Sequence, residues 1–357
     1  MASPGSIGLG RIFGVDVELH WTFIALILIT AVLSLFLSFL FVLLFICVLI
    51  HEFAHAIASK KNGIGVKRII LLPLGGATIM DEQNLDPRIE FNVSIVGPIM
   101  SIFLGGIFGL LLAFIQPGII NEVVNFLFEI NILLGVFNLL PAFPLDGGRV
   151  FRSYVQKKSD YYRATMATAQ ASKVIMSLIV IGTFAIALFT NYSFSYKEFT
   201  TLWDLLIVFF LYAGMQSEVN TVVLRKRTEG LRVGDAVTTK FALLRRNERI
   251  SDLKKYVHRH RISTMLIRLN DGIGLIDLSK QIPESAVYAR DMSVKLPSAK
   301  AEDSIIDALA RMESGGTNVI AVFSGKRFVG ITTSSLIQAT MNLHMFSAKK
   351  RGNDAND

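Results

Sequence analysis

The chain has 357 residues, 52% of them hydrophobic and 18% charged, with a mean hydropathy of +0.51. An ordinary soluble domain carries about 25% charged residues, so a single water-soluble globule is excluded. The formal net charge of +8 does not argue for nucleic acid, because the basic residues flank apolar runs, where retention of Lys and Arg on the cytoplasmic side accounts for them.

Cys47 stands alone, which excludes an internal disulfide framework and a thiolate metal cage; a protein metal site must therefore use His and carboxylate. Residues Met1 to Gly10 lack a basic cluster and no small-residue cleavage site follows, so the first span is expected to be retained. Lys and Arg become denser after residue 228. The chain is read as a membrane part, 1–228, and a polar part, 229–345, with a tail, 346–357, expected to be disordered.

No charged side chain lies between Glu18 and Glu52. A helix of that length would extend about 50 Å, well beyond a hydrocarbon core of about 30 Å, so two spans are expected, from Leu19 and ending near Lys60, with a turn at Ser34 to Ser38. Later apolar runs are Phe91 to Ile115, Val123 to Phe143, Val174 to Phe189 and Leu202 to Val219, giving six spans in all. With the N-terminus cytoplasmic, the inner side collects every Lys and Arg of this part except Lys197. The reading is a multi-pass protein of the cell membrane with both termini cytoplasmic.

Between the second and third spans, Ile69 to Met80 is too short to cross as a helix and is punctuated by Pro73, Gly75 and Gly76. It reads as a membrane-embedded β-hairpin, which at that depth must be buried in protein or line a cavity. Gly97-Pro98 in the third span reads equally as a kink, a close helix contact or a functional feature. After Arg227 an internal repeat appears. Asp235 recurs as Asp291, I-S-D-L at Ile250 as I-I-D-A at Ile305, and Gly274 as Gly330. Two α/β copies, 229–283 and 284–345, are expected to bury their apolar faces against each other. His258 and His260 fall in the basic run Lys254 to Arg261, which is expected to face water and anionic headgroups.

The chemistry concentrates at His51-Glu52-Phe53-Ala54-His55. Two His at i and i+4 share one helix face and can share a zinc ion, while Glu52, about 100° around, can take a proton from the attacking water. Chance would produce the pattern roughly 0.01 times or less in a chain of this composition. A polar helix end would be the bland reading, but ionisable groups inside a span are costly and mark function. A hydrolytic site needs a third ligand. Glu129 and Asp146 are the deep candidates, and Asp146, after two prolines and before two glycines, is the choice, because its backbone leaves the regular helix there. Glu129 is expected at the interface, Cys47 as a packing residue, and His20 at a membrane edge.

His51-Glu-Phe-Ala-His55, Pro73-Leu-Gly-Gly76, Gly97-Pro98 and Asn138 to Gly148, in this order, resemble the site-2 protease family of intramembrane zinc metalloproteases over residues 10–228. The resemblance implies one zinc ion per chain on His51, His55 and Asp146, Glu52 as general base, and Asn138 orienting substrate backbone. It also implies membrane-anchored protein substrates within the lipid bilayer. The hairpin with Gly75 and Gly76 is expected to hold an unwound substrate segment by strand addition. The repeat resembles a tandem CBS pair, which implies a regulatory module, homodimer formation through it, and a cleft for an adenine nucleotide. Of the ribose-binding pattern, Gly330 and Thr333 match but Leu336 stands where Asp is expected; in the first copy Gly274 is followed by Asp277 and Lys280. A docking or dimerisation module has equal standing. The rival readings of the whole are a membrane metal transporter and a CBS-gated carrier or channel.

Overall fold

The structure, a computed structural model, describes residues 5–12, 14–72, 75–80, 86–189, 194–250, 252–253, 264–277 and 287–354. It divides into two units, residues 1–222 and 223–357. The first opens with β1 (Ser6–Ile12) and β2 (Val15–His20), then α1 (Trp21–Leu33) and α2 (Leu35–Lys61). Strands β3 (Val66–Leu72) and β4 (Gly75–Met80) precede α3 (Pro87–Leu112), α4 (Ile119–Asn138), α5 (Asp146–Gln156), α6 (Tyr161–Phe189) and α7 (Phe194–Thr228).

Local chemistry sets these boundaries. Ser34 is extended and ends α1, while its side chain accepts from Leu37 N–H at 3.3 Å to begin α2, within the expected turn. Asn62 closes α2 behind Lys60 and Lys61, cations that suit a helix C-terminus. Asp86 caps α3 through Arg88 N–H, with Pro87 in the first turn, where its missing donor costs nothing. Large apolar side chains such as Phe103, Leu133, Ile181 and Leu188 face outward, the arrangement a lipid surroundings requires.

Among the described residues, five helices are long and apolar enough to cross a bilayer: Leu35–Lys61, Pro87–Leu112, Ile119–Asn138, Tyr161–Ile186 and Thr201–Thr228. The expected first span is the 13-residue α1, about 20 Å long and short of a hydrocarbon core. Six spans were expected; the strand Val15 to His20 comes directly before α1, the shorter apolar helix in the place of the first, and His20 caps α1 by accepting from Thr22.

The hairpin is part of a larger sheet of order β1-β2-β3-β4, in which β2 and β3 run parallel and the other pairs antiparallel. The first two strands lie in a stretch left without structure by the sequence reading. Their signal is the alternation Val15-Asp16-Val17-Glu18-Leu19, in which Val15 and Val17 are buried and Asp16 is exposed. Glu18 ties the sheet together, accepting from Ser6 Oγ at 2.5 Å and from Arg68 at 2.8 Å. Val15 and Ile69 pack on Ala56, seating the sheet on α2. Pro73 of the hairpin lies outside the described residues.

The fourth apolar run, expected to reach Phe143, stops as a helix at Asn138. Pro141 and Pro144 lie in the segment that follows, and a separate helix, α5, starts at Asp146. Its first turn sits so close to the preceding chain that a Cβ on Gly147 would lie 2.3 Å from the Leu139 and Leu140 carbonyl oxygens. Deeper in α5, Arg152 is 2% exposed. Its guanidinium pairs with Glu90 of α3, at 2.9 Å through Nε, and with Glu218 of α7 at 3.3 Å, and lies over the rings of Phe143 and Tyr161. Arg149 meets Glu218 at 3.1 Å. One buried cation thus fastens α5 to two long helices.

The second unit repeats one order of elements. A 3-10 turn (Val233–Ala236), then β5 (Leu243–Leu244), β6 (Thr264–Leu269) and β7 (Gly272–Asp277), matches a turn at Ala289–Met292 followed by β9 (Ser298–Lys300), β10 (Val319–Ser324) and β11 (Arg327–Thr333). In both copies the first pair is parallel and the second antiparallel. Strand β8 (Val294–Lys295) pairs with β7 and completes the first sheet. Helices α8 (Ile305–Ser314) and α9 (Ser334–Asp354) belong to the second copy. The recurring Asp235 and Asp291 do one job twice, each accepting at 2.8 Å from the backbone N–H three residues earlier to close its turn. Helix α9 runs on to Asp354, into the stretch 346–357 read from the sequence as a tail. The basic run of Lys254 to Arg261, with His258 and His260, lies outside the described residues.

Replacing Arg152 with Met removes the buried guanidinium shared by Glu90 and Glu218, and breaking a buried ion pair costs about 3–5 kcal/mol. The variant is expected to melt well below the wild type in detergent, with Arg152→Lys in between; this is read by a thermal unfolding scan.

Candidate metal centre

His51 and His55 are buried on one face of α2, about 15 Å and 9 Å along the helix from Lys61. Beside them α3 presents Val93, Gly97 and Ser101, spaced four apart and therefore on one stripe. The His55 Nδ1–H donates to the Val93 carbonyl at 2.8 Å, and His51 Nδ1 lies 2.9 Å from Ser101 Oγ. A carbonyl only accepts, so the proton of neutral His55 is fixed on Nδ1 and its Nε2 carries a lone pair. With the same tautomer, His51 donates to Ser101 and also leaves Nε2 bare.

Both bare nitrogens meet the same carboxylate oxygen. Asp146 Oδ2 is 3.0 Å from each Nε2, and the two nitrogens are 3.2 Å apart. Three electron-rich atoms gathered in this way repel one another unless a cation or proton lies among them. Two donors about 2.0–2.1 Å from a tetrahedral zinc are separated by about 3.3 Å, so the donor set fits that ion in type and spacing. The ring nitrogens' outer partners, a carbonyl and a hydroxyl, are of the kind that orient ligating imidazoles.

Room for this arrangement comes from a single missing side chain. A Cβ on Gly97 would lie 2.2 Å from His55 Nε2 and 2.8 Å from His51 Nε2. The close-contact reading of Gly97-Pro98 therefore has a specific neighbour, and α3 passes through Pro98 as one helix.

Glu52, next to His51, points to the sheet. Thr78 Oγ1 of β4 donates to Glu52 Oε2 at 2.5 Å, and a Cβ on Gly76 would meet Glu52 Cγ at 2.5 Å. Gly75, at φ +145°, opens the strand. Strand β4 thus lies directly over the carboxylate.

Other sequence candidates lie elsewhere. Among the described residues, His51, His55 and Asp146 are the cluster of His, Cys and carboxylate donors able to hold an ion. Glu129 accepts from Asn125 one turn away, and Cys47 is buried, receiving Asn131 Nδ2 at 3.1 Å. Asn138, at the end of α4, donates to its own helix carbonyl at Leu134. In the C-terminal unit, the close approach of Gly330 to the Thr238 carbonyl, and capping of Leu336 N–H by Thr333, account for both residues without a ligand. Asp277 ends β7, and Lys280 lies outside the described residues.

Val93, Ser101 and Thr78 escaped the sequence reading, which had singled out Gly97 without its neighbours. For the first two the trace is a spacing alone, each lying four residues from Gly97, the spacing of the two histidines. For Thr78 there was none, since its contact depends on how β4 crosses α2.

The model of peptidase family M50 matches residues 38–119 and 114–182. The chain is 27% identical to the zinc metalloprotease MJ0392 of Methanocaldococcus jannaschii, over 95% of this chain and 96% of that one. It is 29% identical to Rip3 of Mycobacterium tuberculosis, over 95% and 93% of the two chains. Among solved structures, the site-2 protease from Methanocaldococcus jannaschii is 31% identical, covering 60% of this chain and 95% of that one, with a TM-score of 0.47. The chain belongs to peptidase family M50, the site-2 protease family of intramembrane zinc metalloproteases.

Proposed function

We propose that His51, His55 and Asp146 hold one zinc ion, that Glu52 is the general base, and that the reaction is hydrolysis of a peptide bond in or near a transmembrane segment of a membrane-anchored protein. The observation that carries this is the convergence of two Nε2 atoms and one carboxylate oxygen within 3.0–3.2 Å, each imidazole being held from behind. Zinc bound there supplies a Lewis acid for the scissile carbonyl and makes water nucleophilic near neutral pH. Glu52 takes the proton of the attacking water and returns it to the leaving amine. Val93 and Ser101 keep the imidazoles in the orientation this requires, and Arg152 holds the helix that begins with Asp146.

A transmembrane helix protects its amides by internal hydrogen bonds, so the scissile segment must unwind first. Strand β4 is suited to receive it. Strand β2 occupies the outer side of β3, so the sheet's open edge near Glu52 is that of β4. Alternation along the ladder from Leu72↔Gly75 turns the N–H and C=O of Gly76 and Thr78 to that edge, where an extended segment can replace its lost hydrogen bonds. Asn138 sits at the end of α4, seven residues before the loop residue preceding Asp146, and is assigned to substrate backbone.

The topology follows from charge. The lysine end of α2, the Arg149 to Arg163 segment and the Arg225 to Arg227 end of α7 are placed on the cytoplasmic side, with both termini. The C-terminal pair is assigned a regulatory and self-associating role. Leu336 in place of the ribose-binding Asp favours docking over adenine nucleotide there.

Glu52→Gln is expected to abolish cleavage of a reporter transmembrane segment while leaving about one zinc per chain, whereas Asp146→Ala loses the zinc as well, read by metal analysis beside the assay. A metal transporter or carrier would retain its function in Glu52→Gln. Gly97→Ala, by intruding on both Nε2 atoms, is expected to lower zinc occupancy several-fold, also read by metal analysis. Replacing helix-breaking residues in the reporter with Leu is expected to slow cleavage about tenfold or more, measured by product formation, because unwinding then costs more.

A further inference from the structure

We infer that Thr78 is the positioning residue for the general base: its hydroxyl fixes one oxygen of Glu52 and leaves the other for the proton of the attacking water. This rests on the assignment of Glu52 as base. A carboxylate only accepts hydrogen bonds, and a hydroxyl has one proton to give. Thr78 Oγ1 is 2.5 Å from Glu52 Oε2 and 3.5 Å from the Glu52 main-chain oxygen, so the proton goes to the carboxylate.

A glutamate reaches its target through three rotatable bonds, and a base that wanders loses rate. Here the arm is bracketed. Gly76, two residues before Thr78 and so on the same face of β4, lets the strand approach Glu52 Cγ, and Thr78 holds the tip. Oε1 lies on the Gly76 side, where a Cβ would come within 3.0 Å of it; the absent side chain keeps that oxygen accessible.

Thr78 also has its N–H and C=O on the open edge assigned to substrate. One residue therefore carries the substrate strand on its backbone and the base on its side chain. Pairing of the scissile segment with β4 steadies the Thr78 hydroxyl, so the base is best aligned when an unwound segment is in place. The consequence falls on turnover and not on affinity, because the edge is made of backbone and survives replacement of the side chain.

The test compares Thr78→Val, which keeps shape and strand preference but removes the donor, with Thr78→Ser, which keeps the donor, beside wild type and Glu52→Gln. Full-length zinc-loaded protein and a reporter transmembrane peptide are used, and kcat, KM, peptide affinity and zinc content are measured. Thr78→Val is expected to lower kcat about 10- to 100-fold with KM, affinity and zinc within about twofold of wild type, and Thr78→Ser to recover kcat to within about threefold. Wild-type kcat in Thr78→Val overturns the inference, as does a Thr78→Ser as slow as Thr78→Val, or a loss in Thr78→Val matched by lost zinc or peptide binding. Should Thr78→Val not fold, Thr78→Ala takes its place with the same criteria. Inactive Glu52→Gln beside wild-type Thr78→Val rejects the role of Thr78 alone; an active Glu52→Gln rejects the base assignment and this inference together.

Discussion

The structure depends on one close approach, that of α3 to α2 at Gly97. Because no side chain stands there, two imidazole nitrogens and a carboxylate oxygen come within 3.0–3.2 Å of one another. Without a cation or proton such a gathering of lone pairs is repulsive, and in the low dielectric of a membrane interior the repulsion is stronger than in water. What holds it is rigid. Each ring is fastened through its other nitrogen to α3, and Asp146 starts a helix pinned by a buried arginine between two glutamates. The fold keeps these donors together by means unrelated to the ion.

The sheet supplies the second constraint. A metal site among helices can activate water, but a helical substrate offers no accessible peptide bond. A four-stranded sheet seated on α2 places its edge strand β4 over Glu52, so in the proposed function the edge that receives substrate and the base that serves hydrolysis meet at one glutamate. Its neighbours in the strand are a glycine, which permits contact, and a threonine, which gives it direction.

Much of this was legible in the chain. The i, i+4 histidines and the glutamate between them follow from helical geometry alone, and Asp146 was marked by prolines before it and glycines after it. Asp235 was seen to recur as Asp291, and the structure shows why: each closes the same turn. What was hidden depends on tertiary contact. The strand Val15 to His20 was left without structure up to Leu19 although its alternation was visible. Ser101 and Val93 carry no chemical signature until α3 is laid beside α2. Thr78 becomes meaningful only once the register of β4 against β3 is known.

X-ray absorption at the zinc edge of the purified full-length protein tests the central claim most directly. The account predicts about one zinc per chain, bound by light atoms at about 2.0–2.1 Å, with the multiple scattering of two imidazoles and no sulfur. A zinc-free protein under zinc-replete conditions, or a sulfur neighbour at about 2.3 Å from Cys47, would contradict it.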